Sequence, residues 1–273
     1  MPTAILGLGI IGSIWARNLQ SDGITVNTWN RSKKDFPGFC DSPITAIINA
    51  ELIIIVVADP HAVQEVLNQI LPSLKPNQIV MQSSTISAEW TLKFAGQVSA
   101  TGAIYLDAPF TGSKPAAEQR KTVFYIGGEL SAIEKARPII SKQALQILHV
   151  GPIGAASNLK LAMNMNIALV MEALSESRRF ALSQGLSDEI FFEALKNNVS
   201  RSGLCDLKEM KLRNHDFSPQ FSLKHMNKDL GLAENTAKSL DLPMFGTLKK
   251  IYDRGMEKGW AEQDFTVLDQ LLG

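Results

Sequence analysis

Lys160 and Asn164 are the two residues of this 273-residue chain whose types and spacing best suit proton-transfer chemistry. They lie four positions apart in the apolar stretch 159–174, so a helix there places both on one face. A buried lysine is costly unless it has a partner or a function. With an ordinary pKa of about 10.4, a lysine is protonated at neutral pH and can stabilise charge on a carbonyl oxygen before it donates. Lys160 is therefore a candidate functional residue, with Asn164 on the same helix face, against the simpler interpretation of a partly exposed helix lysine.

A glycine motif near the N-terminus predicts a dinucleotide site. Gly7, Gly9 and Gly12 form a G-x-G-x-x-G pattern between the apolar run 3–6 and a helical segment. The first glycine allows a tight turn, the second lets a pyrophosphate approach the backbone, and the third lets helix and strand pack closely. The phosphates then bind the N–H groups at the start of the helix. The predicted cofactor residues of this loop are Gly7, Leu8, Gly9, Ile10, Ile11 and Gly12; glycines of a plain turn are the alternative.

The end of the second predicted strand indicates which dinucleotide is preferred. An NAD site usually has a carboxylate here for the ribose hydroxyls, but this chain has Asn30-Arg31-Ser32. Arg31 offers a planar, permanently charged group for a 2′-phosphate. The sequence therefore predicts NADP(H), with NAD(H) as the alternative. Val57 and Ala58, at the end of the apolar run 51–58, are further predicted cofactor residues.

Apolar runs and helical segments alternate through the first half of the chain. Runs at 3–6, 24–29, 51–58, 79–82, 103–107, 122–126 and 146–150 are predicted strands, with helices between most of them. This order predicts an α/β fold with a doubly wound, mainly parallel sheet of Rossmann type. Ligands of such sheets bind beyond the carboxyl ends of the strands, where Ser84-Thr85 and the segment 111–113 fall.

The second half of the chain reads as helices only, near 188–197, 204–213, 221–239 and 243–258. One long helix, from after Gly154 to Gly185, connects the two halves. We therefore predict a cofactor-binding domain at 1–153, the connecting helix at 154–185 and an all-helical substrate and oligomerisation domain at 186–273. Because 159–174 is apolar on nearly every side, we expect it to be buried all round and to form a subunit contact in a homodimer or homotetramer.

Composition excludes several other classes of protein. Lysine plus arginine and aspartate plus glutamate both number 27, so there is no basic field for nucleic acid or an anionic membrane. The longest strongly apolar run, 52–58, is too short to span a bilayer. Cys40 and Cys205 match no metal or redox spacing, and the four histidines are scattered, so no metal is predicted. His225 alone, near Lys228, is a candidate for a pocket wall. We expect a soluble cytoplasmic protein.

Five segments, in order and over essentially the whole chain, resemble the β-hydroxyacid dehydrogenase family. They are GLGIIGSIWARNL (7–19), SSTIS (83–87), DAPFTGSKPAAE (107–118), GPIGAASNLKLAMN (151–164) and FSLKHMNKDLGLA (221–233). The third and fifth are most similar to the glyoxylate/succinic semialdehyde reductase branch. The family includes 3-hydroxyisobutyrate dehydrogenases and tartronate semialdehyde reductases.

By matching position, the resemblance implies roles for individual residues. Lys160 is the implied catalytic acid/base, and Asn164 its orienting or substrate-contacting partner. Thr85 and Lys228 are implied to hold the nicotinamide half of the cofactor, with Asp229 in the same wall. The implied substrate-binding residues are Ser84, Thr111, Gly112, Ser113, Phe221 and Lys228.

Three departures from the family pattern, at four positions, bear on the substrate pocket. Gln82 and Ser83 stand where many members have an acid and an apolar residue. Ala88 replaces a frequent proline, and Arg120 replaces a usual glycine, so we expect the loop before 122 to be shaped differently.

The function expected from this resemblance is NADPH-dependent reduction of a small aldehyde or 2-oxo carboxylic acid of the glyoxylate or succinic semialdehyde type. Oxidation of the hydroxy acid needs a neutral lysine, whereas reduction uses the protonated lysine that is present at neutral pH. The protonated lysine and NADPH as cofactor both favour the reductive direction. Activity as a 3-hydroxyisobutyrate dehydrogenase or tartronate semialdehyde reductase is the first alternative. An imine reductase generally lacks this lysine, and a 6-phosphogluconate dehydrogenase has a longer helical part. A non-catalytic NADP-binding protein is the alternative outside enzymes.

Overall fold

The computed structural model describes residues 1–272, and the chain divides into two compact units. The first is Met1–Lys160, and the second begins at Leu161. The boundary falls inside one continuous helix. The predicted division at 153 and 185, with that helix as a separate connector, remains a prediction.

The first unit contains a sheet of eight strands. The strands are β1 (Thr3–Leu6), β2 (Val26–Trp29), β3 (Leu52–Ile55), β4 (Ile79–Gln82), β5 (Ile104–Asp107), β6 (Phe110–Thr111), β7 (Thr122–Gly127) and β8 (Ala144–Gly151). In β1, β3 and β4 every residue is buried, because helices cover both faces. This is why the predicted strands read as continuous apolar runs.

The strand order is β2-β1-β3-β4-β5-β7-β6, with β8 paired to β7. The first five strands are parallel, and their registers bring Leu6, Ile55 and Gln82 to one edge. β7 runs antiparallel to β5 and β6 but parallel to β8. The predicted doubly wound, mainly parallel sheet is confirmed, with one reversed pair that apolar runs do not reveal.

Six shorter helices cover this sheet. They are α1 (Ile10–Ser21), α2 (Pro43–Ile47), α3 (Pro60–Ile70), α4 (Ala88–Ser99), α5 (Lys114–Glu118) and α6 (Leu130–Ile140). Three begin where a side chain accepts a backbone N–H of the first turn: Ser42 for α2, Asp59 for α3 and Ser87 for α4. These caps fix where each helix starts relative to the preceding strand.

Helices of the second unit pack around a core of its own. After α7 (Ala155–Ser183) they are α8 (Asp188–Lys196), α9 (Gly203–Arg213), α10 (Leu223–Thr236), α11 (Pro243–Glu257) and a 3-10 segment at Phe265–Leu272. The core joins Leu174, Leu212, Leu230 and Tyr252, among others. The predicted all-helical C-terminal part is confirmed.

The prediction that α7 is buried all round is wrong for the single chain. Asn158, Ala162, Asn166 and Ala173 are exposed and recur at helical spacing along one side. These residues are alanines and asparagines, so one side of α7 faces solvent although 159–174 is apolar in overall composition. Gly185, just beyond the helix, has the positive φ of +82° expected at its end.

Buried ion pairs tie the helices of the second unit together. The Arg178 guanidinium donates to both oxygens of Asp188 and to Asp269, with Nε–Oδ1 2.6 Å for the Asp188 contact. Lys208 Nζ lies 2.9 Å from Asp264 Oδ1. Both cations are almost fully buried, so each depends on its carboxylate partner for its charge to be tolerated.

None of the helices within residues 1–272 combines the length and the apolar character that a membrane span needs.

Candidate active site

The glycine loop between β1 and α1 is shaped by close backbone contacts. Gly7 has φ of +113°, and a Cβ there would lie 2.2 Å from the Val56 carbonyl oxygen. A Cβ on Gly12 would lie 2.0 Å from the Gly7 carbonyl oxygen. A Cβ on Gly9 would meet no atom within 4 Å. The outer two glycines therefore serve the fold, whereas the middle one borders open space.

A cleft of ≈270 Å³ lies beside this loop, at the carboxyl ends of the parallel strands. Its lining includes seven of the predicted cofactor residues: Gly7, Gly9, Asn30, Arg31, Ser32, Val57 and Ala58. The side chains of Leu8, Ile10 and Ile11 do not line it, nor does Gly12: Leu8 is buried, and the other three form the first turn of α1. The predicted strand 51–58 ends at Ile55, which leaves residues 56–58 to form the cleft wall.

Asn30 joins the glycine loop to the end of β2. Its Oδ1 accepts a hydrogen bond from Leu8 N (3.0 Å), and its Nδ2 donates to Ser32 O and Oγ. Lys34 Nζ donates to the Leu8 carbonyl oxygen at 2.5 Å. Asn30 therefore fixes the shape of the loop as well as lining the cleft.

Arg31 lies at the mouth of the cleft opposite a carboxylate. Its Nη1 is 3.4 Å from Glu65 Oε2, and both side chains are largely exposed, at 83% and 60%. Glu65 comes from α3, 34 residues away, so no local pattern in the sequence could have assigned it to this cleft. Only the fold, which places α3 beside the end of β2, brings Glu65 to Arg31.

The residues present fit a dinucleotide. Gly9 is the N-cap of α1 and no side chain of the described residues caps it, so the first-turn N–H groups are left for an anion. The open space beside Gly9 is where a pyrophosphate approaches such a turn. Arg31 is the charged group suited to a 2′-phosphate.

Ser84 follows β4 and is held by a buried amide. The Gln82 side chain accepts from Ser84 N and donates through Nε2 to Ser84 O at 3.1 Å. The Ser84 hydroxyl in turn accepts from Val57 N at 2.8 Å, which links the loops after β3 and β4. Gln82 and Ser84 are both buried, so this departure from the family pattern serves to shape the loop.

The predicted carboxylate-binding segment 111–113 runs from the end of β6 into α5. All three residues are half-buried. Gly112 has φ of +120°, and a Cβ there would lie 3.0 Å from the Ala116 Cβ. Ser113 is the N-cap of α5 but makes no capping hydrogen bond with its side chain. No pattern in the sequence predicts β6 or α5, because two- and five-residue elements carry too little periodicity.

Asp107, the last residue of β5, anchors the start of α7. Its Oδ2 accepts from Gly154 N and Ser157 N, both at 3.0 Å, and its Oδ1 accepts from Ser157 Oγ at 2.7 Å. Burial raises the pKa of this carboxyl, and the hydrogen bonds from Ser157 and Gly154 act in the opposite direction. The sheet edge that carries Ser84 is thereby joined to the first turn of the long helix.

Lys160 lies one turn after Ser157, still within the first unit. Its side chain is buried, with 8% of the residue exposed. The lysine in the apolar part of this helix is thus buried rather than partly exposed.

Asn164, one turn further along α7, belongs to a polar cluster of the second unit. Its Nδ2 donates to Asp229 Oδ2 at 2.6 Å, and Lys228 Nζ lies 2.8 Å from Asp229 Oδ1. Asn164 and Asp229 are each 2% exposed. The structure thus brings Asn164 to the adjacent pair Lys228 and Asp229, which lie 64 and 65 positions further along the chain.

Phe221 is fixed by its backbone and its ring. Asp264 Oδ2 accepts from Phe221 N at 3.1 Å, and the ring stacks on His225 with centroids 6.2 Å apart. Burial, and then Lys224 and Lys228, lower the pKa of His225. His225 lies three residues before Lys228 on α10, so helical spacing puts the two on neighbouring positions of one face, and its lowered pKa favours the uncharged imidazole at neutral pH.

Thr85 is half-buried in the loop after β4, two residues before the Ser87 cap of α4. Among residues 1–272, no group of three or more His, Cys, Asp and Glu side chains is arranged to hold a metal ion.

Two family models match nearly the whole chain. Residues 3–151 match the NAD binding domain of 6-phosphogluconate dehydrogenase. Residues 154–272 match the NAD-binding domain of NADP-dependent 3-hydroxyisobutyrate dehydrogenase. The chain belongs to the β-hydroxyacid dehydrogenase family. It is an NAD(P)-dependent oxidoreductase of that family.

Individual relatives of this β-hydroxyacid dehydrogenase span its length at low identity. Glyoxylate/succinic semialdehyde reductase 2 of Arabidopsis thaliana is 27% identical over 98% of this chain and 78% of the relative. 2-Hydroxy-3-oxopropionate reductase of Escherichia coli is 28% identical over 100% and 97%. The structure of Mycobacterium tuberculosis 3-hydroxyisobutyrate dehydrogenase with L-serine superposes with a TM-score of 0.91 at 26% identity, over 99% and 98%.

Proposed function

We propose that this enzyme uses NADPH to reduce a small carboxylate-bearing aldehyde or 2-oxo acid to the hydroxy acid, with Lys160 as the general acid. The observation that carries the proposal is a buried lysine on α7, one turn after the point where Asp107 ties that helix to the carboxyl edge of the sheet. Ligands of parallel sheets bind at that edge.

The bound dinucleotide supplies the hydride, so the protein must position the carbonyl group and supply a proton. Negative charge develops on the carbonyl oxygen during reduction, and a protonated Lys160 stabilises that charge and then donates. Asn164, which donates to Asp229, is assigned to orient the lysine or contact the substrate.

The proposed carboxylate-binding groups are the loops after β4 and β6. Ser84 and the segment 111–113 offer hydroxyl and N–H donors, which suit a carboxylate. Gln82 holds the backbone of Ser84 and Val57 N donates to the Ser84 hydroxyl oxygen, so the position of this hydroxyl is fixed before substrate binds. Phe221 and Lys228 are assigned to the substrate wall, and Thr85 and Lys228 to the nicotinamide half.

NADPH is the proposed cofactor because Arg31, Ser32 and Asn30 take the place of the carboxylate that an NAD site uses there. Glu65 pairs with Arg31, and its carboxylate competes with a 2′-phosphate for the guanidinium. It therefore reduces the preference for NADPH over NADH.

The substrate class follows from relatives named for small hydroxy and oxo acids. The test is oxidation of NADPH and NADH against glyoxylate, succinic semialdehyde, tartronate semialdehyde, methylmalonate semialdehyde and a cyclic imine. We expect NADPH-dependent turnover of at least one of the first four. Turnover of the imine alone would overturn the substrate class, and cofactor binding without any turnover would remove the proposed activity on these acids.

A further inference from the structure

The start of α7 is held by a buried chain of three side chains from three different elements. Thr91 of α4 and Ser157 of α7 have their hydroxyl oxygens 2.8 Å apart, and Ser157 Oγ lies 2.7 Å from Asp107 Oδ1. The three residues are at most 1% exposed. Their hydrogen bonds are therefore shielded from competition by water.

The direction of these bonds follows from counting protons. Ser157 has one hydroxyl hydrogen, and Asp107 can only accept it when ionised. Thr91 must then donate to Ser157, and Ser157 to Asp107. Both oxygens of Asp107 accept, three times in all, which fits the ionised form despite the burial that raises the pKa of this carboxyl.

Asp107 thus acts on α7 as a cap supplied from a distance of 47 to 50 residues. The first N–H groups of any helix have no acceptor within that helix. At the start of α7, Gly154 N and Ser157 N are two of these groups, and both donate to Asp107 Oδ2. A carboxylate there also opposes the positive end of the helix dipole. Lys160 lies three residues beyond Ser157, so the position of this first turn determines the position of the Lys160 Cα.

We propose that Asp107, acting through Ser157, is a positioning residue that holds the first turn of α7 in the direction Lys160 needs for proton donation. This inference rests on the proposed function of Lys160. Asp107 lies in the segment that resembles a substrate-binding motif, but its contacts assign it to the helix instead.

The experiment compares Asp107→Asn, Ser157→Ala and Thr91→Val with the parent enzyme in the reductive direction. Asp107→Asn should lower kcat about 10- to 100-fold, because small displacements of a catalytic group are costly. Ser157→Ala removes one of the three bonds to Asp107 and should lower kcat about 3- to 10-fold. NADPH affinity should stay within about threefold in all of them, since the glycine loop is untouched.

A pH–rate profile separates positioning from general loss of structure. Asp107 is buried against the turn that precedes the buried Lys160, so removing its negative charge should disfavour the protonated lysine and move the alkaline limb to lower pH by about half a unit to one unit in Asp107→Asn. Ser157→Ala keeps the charge and should leave that limb in place. Tyr105, also in the field of Asp107, is fully buried, and burial holds its pKa well above its usual value, so it does not titrate there.

Thr3→Val is the matched control, because it also removes a buried hydroxyl from the first unit, but at the start of β1. Its kcat should equal that of the parent. The proposal is overturned if Asp107→Asn keeps kcat within threefold. If Asp107→Asn does not fold, a parental kcat in Ser157→Ala overturns it instead. Lys160→Met separates the two ideas: its full activity removes the proposed function, whereas its inactivity beside an active Asp107→Asn removes only this inference.

Discussion

Arg31 and Glu65 face each other across the mouth of the cofactor cleft, 3.4 Å apart at Nη1 and Oε2. The two side chains are largely exposed, so the pair itself adds little to stability. Its importance is for binding, because the guanidinium is the group available for a 2′-phosphate and the carboxylate competes for it.

We predict that Arg31→Ala weakens NADPH binding by about tenfold or more and leaves NADH binding within about threefold, because only NADPH loses a charge-assisted hydrogen bond. Glu65→Gln should do the reverse and tighten NADPH about two- to threefold. Dissociation constants from cofactor fluorescence would check both. An equal change for the two cofactors in Arg31→Ala would contradict the assignment of this residue.

Arg120 shows how a departure from the family pattern is accommodated. It has φ of +58°, the left-handed conformation that a glycine adopts readily. Its guanidinium donates to Asn18 O, Ser21 Oγ and Asp22 Oδ2, and so binds the C-terminal end of α1. In the loop before Thr122, Arg120 thus keeps the backbone conformation of a glycine, and the contacts of its side chain hold it there.

Two substitutions separate the backbone from the side chain at this position. Arg120→Ala and Arg120→Gly both lose the guanidinium contacts, but only the glycine is free of strain at positive φ. We expect both to unfold more easily than the parent in urea, with Arg120→Gly about 1 kcal/mol more stable than Arg120→Ala. An Arg120→Gly variant that is the less stable of the two would contradict this account.

At the scale of elements, α7 carries a buried acid that the proposed mechanism does not use. Glu172 is 6% exposed, and among the described residues neither of its carboxyl oxygens has a hydrogen-bond partner. Burial, with Glu176 and Asp269 nearby, raises its pKa from 4.5 to about 7. The buried hydroxyl of Tyr252, on α11, also lies in its field.

This carboxyl makes folding stability depend on pH. Between pH 4.5 and 7 the folded state holds a proton that the unfolded state has released, so stability falls as pH rises through that window and levels off above it. The loss attributable to Glu172 is at most about 3 kcal/mol. We predict that Glu172→Gln is more stable than the parent at pH 8, with a smaller difference at pH 5, in urea unfolding at the two values. Parallel pH dependence in both proteins would contradict the prediction.

Also at this scale, most predicted strands and helices coincide with elements of the structure, although the predicted strand 51–58 is shortened to Leu52–Ile55. The strand 79–82 and the start of α3 at Pro60 are examples. β6 and α5 were missed because they are too short for a periodic pattern. The exposed side of α7 was missed because alanine and asparagine there are small enough to fit a generally apolar helix.

At the scale of the whole molecule, local motifs in the sequence offer candidate site residues but do not reveal the contacts between residues that are distant in the chain. Lys160, Arg31 and Gly9 could be chosen from local motifs. The contacts of Asp107 with Ser157 and of Asn164 with Asp229 could not, because 50 and 65 residues separate the partners and chain folding alone brings them together.

The oligomeric state remains a prediction at this scale. α7 presents Ala162, Asn166 and Ala173 to solvent in the single chain, where small side chains allow a second helix to approach closely. We expect sedimentation velocity at micromolar concentration to give a dimer or tetramer. A monomer at that concentration would contradict the prediction of a subunit contact on α7.

The most direct test of the central claim is the single-turnover rate of NADPH oxidation by Lys160→Met with the best carbonyl substrate. We predict a rate at least about 10²-fold below that of the parent, the usual range for losing a general acid, with the NADPH dissociation constant within about threefold. A rate within tenfold of the parent at saturating cofactor and substrate would contradict the assignment of Lys160 as the proton donor.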